Sequence, residues 1–186
     1  MGELVVQQFV TADGFAASPG GAFDVFEGVG TEMADFEERN TARMPGVGSI
    51  LLGRATYEMF VQYWPTAVSD GELIADAINL TPKHVVSSTL TEAPWGTFDP
   101  ASVIGIDDVA GVVERPGDTL VWGSLTLTQH LFAANAVDRV RLVVLPTAIG
   151  RGIPWSPEGV PLALELLDVA RFANGMVETE YRVARR

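Results

Sequence analysis

The chain has 186 residues, of which 47% are hydrophobic and 19% are charged, and its net charge is −12. This composition predicts a soluble globular protein, and the length predicts one domain spanning residues 1–186. The absence of cysteine excludes disulfides and cysteine-ligated metals, and the scarcity of basic residues argues against nucleic-acid binding.

The amino terminus has no basic region ahead of an apolar block and no cleavage site, which predicts a cytoplasmic protein. No later apolar run reaches the roughly 18–20 residues that a membrane span needs. Apolar runs of strand length recur instead. They cover residues 4–10, 49–53, 83–88, 119–123, 139–146, 162–172 and 176–184.

Segments with helical spacing separate the earlier runs, and this alternation is typical of a mostly parallel sheet with helices on its faces. The last two runs have no helix between them and are joined across Asn174-Gly175, a hairpin signal. The sequence therefore predicts an α/β domain with an antiparallel carboxyl-terminal end. In the final run the alternation places Val177, Thr179, Tyr181 and Val183 on one face.

The segments with helical spacing are residues 32–43, 56–64, 71–80, 107–113 and 125–134. Clusters of Pro and Gly predict loops at residues 18–21, 64–65, 92–100, 115–117 and 150–161.

The apolar run TLVWG stops at Gly123-Ser124, and the chain continues in helical rhythm as LTLTQHLF. We interpret this junction as a strand that enters a helix through a tight turn, with Ser124 as the N-cap. Such a turn directs backbone N–H groups and the positive end of the helix dipole at whatever lies above the sheet edge. An ordinary crossover turn with no ligand explains the same residues.

Two further strands end in a similar way. SILLG runs into Gly53, and Arg54 and Thr56 add a cation and a hydroxyl at the start of the next helix. KHVVSST ends in Ser87 and Ser88. Because open α/β sheets bind ligands at the carboxyl ends of their strands, the three junctions together predict a nucleotide-type cofactor laid across them.

The sequence lacks the motifs that several other common enzyme classes require. There is no GxGxxG after the first strand, no GxxxxGK[ST] and no GxSxG, which argues against a Rossmann site, a P-loop and a hydrolase elbow. His84 and His130 have no neighbouring acids in ligand spacing, so no metal site is expected.

Two acidic residues are candidates for catalysis. Asp13 follows the first strand in TADGFAAS, where the chain leaves the sheet, although the residues alone favour a simple turn aspartate next to glycine. Glu32 begins the acidic segment TEMADFEERN, most of which is expected to be a solvated helix face with one acid able to line a pocket.

Six motifs occur in order along nearly the whole chain: TADGFAAS, ILLGRATYE, KHVVSSTL, LVWGSLTLTQHL, AVDRVRLVVLPTAIGRGIP and a hairpin ending in ETEYRV. Together they resemble the dihydrofolate-reductase-like family, in the branch related to the C-terminal reductase domain of the bifunctional riboflavin-biosynthesis deaminase-reductase. The resemblance implies a three-layer α/β sandwich whose mostly parallel mixed sheet has eight strands, an antiparallel carboxyl-terminal hairpin and helices on both faces. It also implies NADPH as cofactor and a homodimer.

The resemblance assigns roles to individual positions. Gly53, Arg54 and Thr56 would hold the pyrophosphate or the ribose that carries the 2′-phosphate. Ser87 and Ser88 would flank the 2′-phosphate, while Asp13 or Glu32 would orient the substrate or relay a proton. The phosphates would lie against the start of the last helix, at Gly123, Ser124, Leu125 and Thr126.

The leading hypothesis is an NADPH-dependent reductase that transfers hydride to a C=N or C=O of a small heterocyclic or ribosylamine-like substrate. Such an enzyme would resemble either 5-amino-6-(5-phosphoribosylamino)uracil reductase or dihydrofolate reductase. A non-catalytic nucleotide-binding module of the same fold and a purely structural domain are the alternatives. Binding of NADPH would distinguish the purely structural domain, which should not bind it, from the reductase and the nucleotide-binding module, which should.

Overall fold

The computed structural model of the chain describes residues 2–22, 24–26, 29–30 and 32–185. Each apolar run predicted to form a strand does so, within two residues at its ends. The strands are β1 (Leu4–Thr11), β2 (Phe15–Ala17), β3 (Val47–Gly53), β4 (Lys83–Val86), β5 (Ala93–Trp95), β6 (Phe98–Ile104), β7 (Asp118–Trp122), β8 (Arg139–Leu145), β9 (Ile153–Pro154), β10 (Leu164–Arg171) and β11 (Val177–Val183).

The helices also follow the predicted segments, although most are shorter than expected. Short 3-10 turns precede β3 and the fourth helix, and another lies before the third. The helices are α1 (Ala34–Arg43), α2 (Arg54–Phe60), α3 (Ala75–Leu80), α4 (Val109–Val113) and α5 (Leu125–Ala133).

The main sheet has the order β10-β11-β8-β1-β7-β3-β4-β6-β5 over the described residues. The six central strands, from β8 to β6, are parallel, while β10 and β11 at one end and β5 at the other are antiparallel. The mostly parallel α/β architecture with an antiparallel hairpin is thereby confirmed. The carboxyl ends of β7, β3 and β4, where the three polar junctions lie, are neighbours along one edge.

Helices cover both faces of this sheet. On one face, Leu127 and Phe132 of α5 pack against Val6 of β1. On the other, Tyr57 of α2 and Ile78 of α3 pack against the sheet. Helix α1 lies over the antiparallel end, where Phe36 and its apolar neighbours contact β8. The central strands are therefore buried on both faces, as their continuous apolar runs predicted.

Part of the predicted loop at 92–100 is wrong, because β5 and the start of β6 occupy it. The sheet consequently has nine strands in the described part of the chain rather than the eight implied by the resemblance. These strands were missed because β5 has three residues and β6 carries Asp99 and Pro100, which obscure the apolar pattern.

The predicted alternation in β11 is present, and its acidic side is the more buried one, with Glu178 and Glu180 at 1% and 7% exposure. Arg43 donates to both carboxylate oxygens of Glu178, at 2.9 and 2.6 Å, and Arg39 adds a third bond at 2.9 Å. Arg139 contacts Glu180 at 2.7 Å. Alternation alone cannot show that the acidic side of a strand is the inner one when arginines cover it.

Candidate active site

The three polar junctions open into one cavity of about 1540 Å³. It runs along the carboxyl ends of the central strands, from the loops after β4 and β6 to the space beneath α1. Every residue predicted to bind the cofactor lines it, namely Gly53, Arg54, Thr56, Ser87, Ser88, Gly123, Ser124, Leu125 and Thr126. The fold therefore brings together side chains that are up to 73 positions apart in the sequence.

The junctions after β3 and β7 are hydrogen-bonded to each other. The Gly53 N–H donates to Ser124 Oγ at 2.8 Å, and the Ser124 N–H donates to Thr56 Oγ1 at 3.0 Å. The chain reverses through two successive left-handed residues, Gly123 with φ 53° and Ser124 with φ 55°. This reversal is why the apolar rhythm breaks at Gly123-Ser124.

Ser124 occupies the N-cap position of α5, as predicted, but its side chain bonds Gly53 and the Trp122 carbonyl rather than its own helix. Within the described residues, α5 consequently has no side-chain cap. Its first-turn N–H groups and the positive end of its dipole face the cavity at Leu125 and Thr126. An anionic group can bind there without a basic surface.

A cation lies at the end of the cavity next to β4. Arg54 donates to Thr89 Oγ1 at 3.0 Å and to Glu58 at 2.7 Å, and about half of its side chain is exposed. Ser87 Oγ accepts from the backbone of the same loop, at Thr89 and Leu90. These contacts hold one guanidinium and several hydroxyls in place around an open space, which suits a phosphate.

The other end of the cavity, which we call the α1 chamber, lies between α1 and the segment that joins α2 to α3. Aromatic walls, including Phe36 and Trp122, enclose polar side chains that the sequence analysis did not assign. One signal was present, because Glu37 shares a helical face with Met33 and Asn40. No local pattern identified the others. The polar residues of the chamber are Gln7, Glu37, Asn40, Tyr63 and Glu72.

Two carboxyl groups interact in this chamber. Burial raises the pKa of Glu37, and hydrogen bonding and charge repulsion from Glu72 raise it further. A hydrogen bond donated by the Leu73 N–H, at 3.2 Å, acts in the opposite direction and lowers it. The Tyr63 hydroxyl donates to Glu72, and this bond with burial raises the pKa of Tyr63 to about 12. Tyr63 therefore remains a hydrogen-bond donor throughout the neutral pH range.

Gln7 supplies an independent sign of ligand binding. It is 2% exposed and lines the cavity, and its Oε1 has no hydrogen-bond partner in the described part of the protein. Leaving a buried acceptor unpaired costs about 1–3 kcal/mol, which a bound donor would recover.

The two predicted catalytic acids lie elsewhere. Asp13 is exposed, and its carboxylate accepts from the backbone N–H groups of Ile149 and Gly150, at 3.3 and 2.7 Å. A hydrogen bond from Thr11 is the main cause that lowers the pKa of Asp13; burial opposes it, and the two backbone bonds add to it. Glu32 is exposed just before α1. Neither is among the described residues that line the cavity, and their catalytic roles stay predictions.

Among the described residues, no group of three His, Asp or Glu side chains is arranged to hold a metal ion. In the same part of the chain, no helix is both long enough and apolar enough to span a bilayer.

The chain has clear structural relatives. A protein from Shewanella sp. PV-4, described as a riboflavin biosynthesis protein, superposes with a TM-score of 0.75 at 20% identity, covering 98% of this chain and 99% of that one. Dihydrofolate reductase from Enterococcus faecalis, in complex with NADP(H), superposes with a TM-score of 0.61 at 14% identity, covering 97% and 96%. The chain has the dihydrofolate-reductase-like fold.

Other comparisons refine the placement within this fold. The family model of the RibD C-terminal domain matches residues 113–178, from the end of α4 to the start of β11. The deaminase/5-amino-6-(5-phosphoribosylamino)uracil reductase of Thermotoga maritima superposes with a TM-score of 0.66 at 14% identity, covering 98% of this chain and 57% of that one. The predicted resemblance is thereby confirmed. No curated protein matches the sequence.

Proposed function

We propose that the protein is an NADPH-dependent oxidoreductase that reduces a C=N or C=O bond of a small cyclic substrate. The observation that carries the proposal is the convergence of three strand-to-loop junctions on one cavity with polar residues at both ends. The matched reductase family and the NADP(H)-bound structural relative support the same assignment.

The residues present fit a dinucleotide phosphate. The uncapped start of α5 suits a diphosphate, and Arg54 with Ser87 and Ser88 suits the 2′-phosphate. The two junctions lie close together, since a Cβ at Gly53 would be in van der Waals contact with that of Ser124, at 3.4 Å. Bound there, NADPH would supply the hydride, while the protein orients the reactants and excludes water.

Activity is tested with NADPH deuterated at the transferable position and a panel that contains dihydrofolate, 5-amino-6-(5-phosphoribosylamino)uracil and simpler cyclic imines. The proposal predicts that one class of acceptor gains deuterium while the nicotinamide absorbance falls. Tight NADPH binding without deuterium transfer to any acceptor would instead indicate a non-catalytic nucleotide-binding module.

For Asp13 we propose that it positions the substrate end of the cavity, because it fixes the loop that leads to Ile153 in the cavity wall. Asp13→Asn removes one acceptor for the two backbone N–H groups. We expect turnover to fall at least about tenfold, a loss of roughly 1.4 kcal/mol, with NADPH affinity nearly unchanged. Asp24→Asn, at an exposed position later in the same segment of the sequence, is the control, and equal turnover of the Asp13 variant rejects the role.

We also propose a homodimer through β10. This strand lies at the sheet edge and exposes Leu164, Leu166, Leu167 and Val169, an aggregation hazard if left uncovered. Sedimentation of the protein should show a dimer, and Leu166→Glu with Val169→Glu should give a folded monomer. Val68→Glu, at an isolated exposed position, should leave the dimer intact, and a monomeric wild type contradicts the proposal.

A further inference from the structure

Among the described residues that line the cavity, the only arginine or lysine is paired with an acid of the same helix. Arg54 Nε donates to Glu58 Oε1 at 2.7 Å, one turn later on α2. Both side chains line the cavity, and their exposed fractions are 53% and 49%. The other two acids of the described lining, Glu37 and Glu72, belong to the α1 chamber. The end of the cavity next to β4 therefore holds one positive and one negative side chain.

The order of these two charges does not favour the helix that carries them. Arg54 is the first residue of α2, and Glu58 lies near its end. A cation at the start of a helix and an anion near its end both oppose the helix dipole, and the reverse order gives the more stable pair. Ion pairs that are this exposed also contribute little to folding. Stabilisation of α2 is therefore a weak reason for the pair, and its place in the cavity wall indicates a role toward a ligand.

Both members of the pair keep groups that a ligand can use. Arg54 Nη1 donates to Thr89 Oγ1 at 3.0 Å, and the remaining N–H groups of the guanidinium bond no described residue. Glu58 Oε2 likewise has no hydrogen-bond donor in the described part of the chain. A planar cation and a carboxylate oxygen are thus both available at the same end of the cavity, where Ser87 also lies.

The two charged groups suit different forms of the nicotinamide dinucleotide. NADPH carries a phosphate at the adenosine 2′ position, which an arginine binds through charge-assisted hydrogen bonds. NADH carries a hydroxyl there, which donates to a carboxylate. In dinucleotide-binding proteins an acid at this ribose is typical of NAD, and an arginine is typical of NADP. This chain places one of each at the same end of the cavity.

We infer that the Arg54–Glu58 pair makes the protein accept NADH as well as NADPH. This inference rests on the proposed function, with the adenosine 2′ position next to Arg54. The phosphate of NADPH shares Arg54 with Glu58 and is repelled by that carboxylate, which lowers the preference for NADPH. With NADH, Arg54 stays bound to Glu58, and Glu58 Oε2 accepts from the 2′-hydroxyl. The dissociation constants of the two nucleotides should therefore lie within about tenfold of each other.

Glu58→Gln tests this role by moving the two affinities in opposite directions. Loss of the negative charge should tighten NADPH binding about threefold, because the repulsion disappears, and weaken NADH binding about threefold, because a neutral amide is the poorer acceptor. The ratio of the two dissociation constants then changes about tenfold. Fluorescence titration with each nucleotide measures both constants without any acceptor. Glu165→Gln, which removes the acid from the exposed pair with Arg182, should leave the ratio unchanged.

Three results would overturn the inference. If Glu58 only holds Arg54 in place, Glu58→Gln weakens NADPH binding and leaves NADH binding unchanged. The second contrary result is an unchanged ratio in this variant, and the third is a wild-type preference for NADPH greater than about tenfold. Failure of the proposed function looks different: either neither nucleotide binds, or both bind and neither transfers deuterium to any acceptor of the panel above.

Discussion

Replacement of Glu178 by glutamine should lower the free energy of unfolding by about 3 kcal/mol, at the lower end of the range for breaking a buried ion pair. Glu178 is 1% exposed and accepts three hydrogen bonds from Arg39 and Arg43. The variant leaves these two guanidinium groups without their main counter-charge. Denaturant unfolding measures the loss, and a stability within about 0.5 kcal/mol of the wild type contradicts it.

A matched control lies on the neighbouring strand. Glu165→Gln removes the same charge from a pair with Arg182 at 3.8 Å, both partners being mostly exposed. Exposed pairs contribute about 0–1 kcal/mol, so this variant should be nearly as stable as the wild type.

The effect of Glu178 should depend on pH. Burial raises the pKa of Glu178, but the bonds and charges of Arg43 and Arg39 outweigh it and hold the pKa below the ordinary 4.5. Its stabilisation is therefore complete above the unfolded value and is lost as pH falls through the folded one. The difference between wild type and Glu178→Gln should shrink below pH 4.5.

Arg54→Gln should weaken NADPH binding about ten- to hundredfold, because a hydrogen bond to a charged group contributes about 1.5–3 kcal/mol. NADH lacks the 2′-phosphate, so its affinity should change little. The ratio of the two dissociation constants, measured by fluorescence titration, reports the position of this phosphate. Arg182→Gln removes the same charge from the distant hairpin and should leave the ratio unchanged. A parallel loss of NADPH and NADH affinity in the Arg54 variant contradicts this placement.

Much of the fold can be predicted from the sequence because the central parallel strands are buried on both faces. Their apolar runs are continuous, and the changes to helical spacing mark the crossovers. The signal fails for β2 and β9, which have three and two residues, and for β6, where Pro100 interrupts it. Strands as short as β2 and β9, which pair with each other outside the main sheet, bury too little surface to impose an apolar pattern.

The two ends of the candidate site differ in how well the sequence predicts them. Gly53 and Gly123 are predictable because each follows a buried strand, and the geometry of parallel sheets brings such positions together. The α1 chamber cannot be predicted in this way, because Glu72 lies in an irregular segment and is brought to the same cavity as Glu37 only by tertiary packing. Asp13 shows the reverse, since its prominent motif leads to a loop contact rather than to the cavity wall.

The central claim is that the junctions after β3, β4 and β7 together bind one NADPH molecule. Titration with NADPH, monitored by energy transfer from tryptophan to the nicotinamide, tests it most directly because Trp64 and Trp122 line the cavity. The account predicts a saturable signal with one site per chain, reduced in Trp122→Phe and shifted to higher concentration in Arg54→Gln. A signal that does not saturate, or the same affinity in wild type and Arg54→Gln, would contradict it.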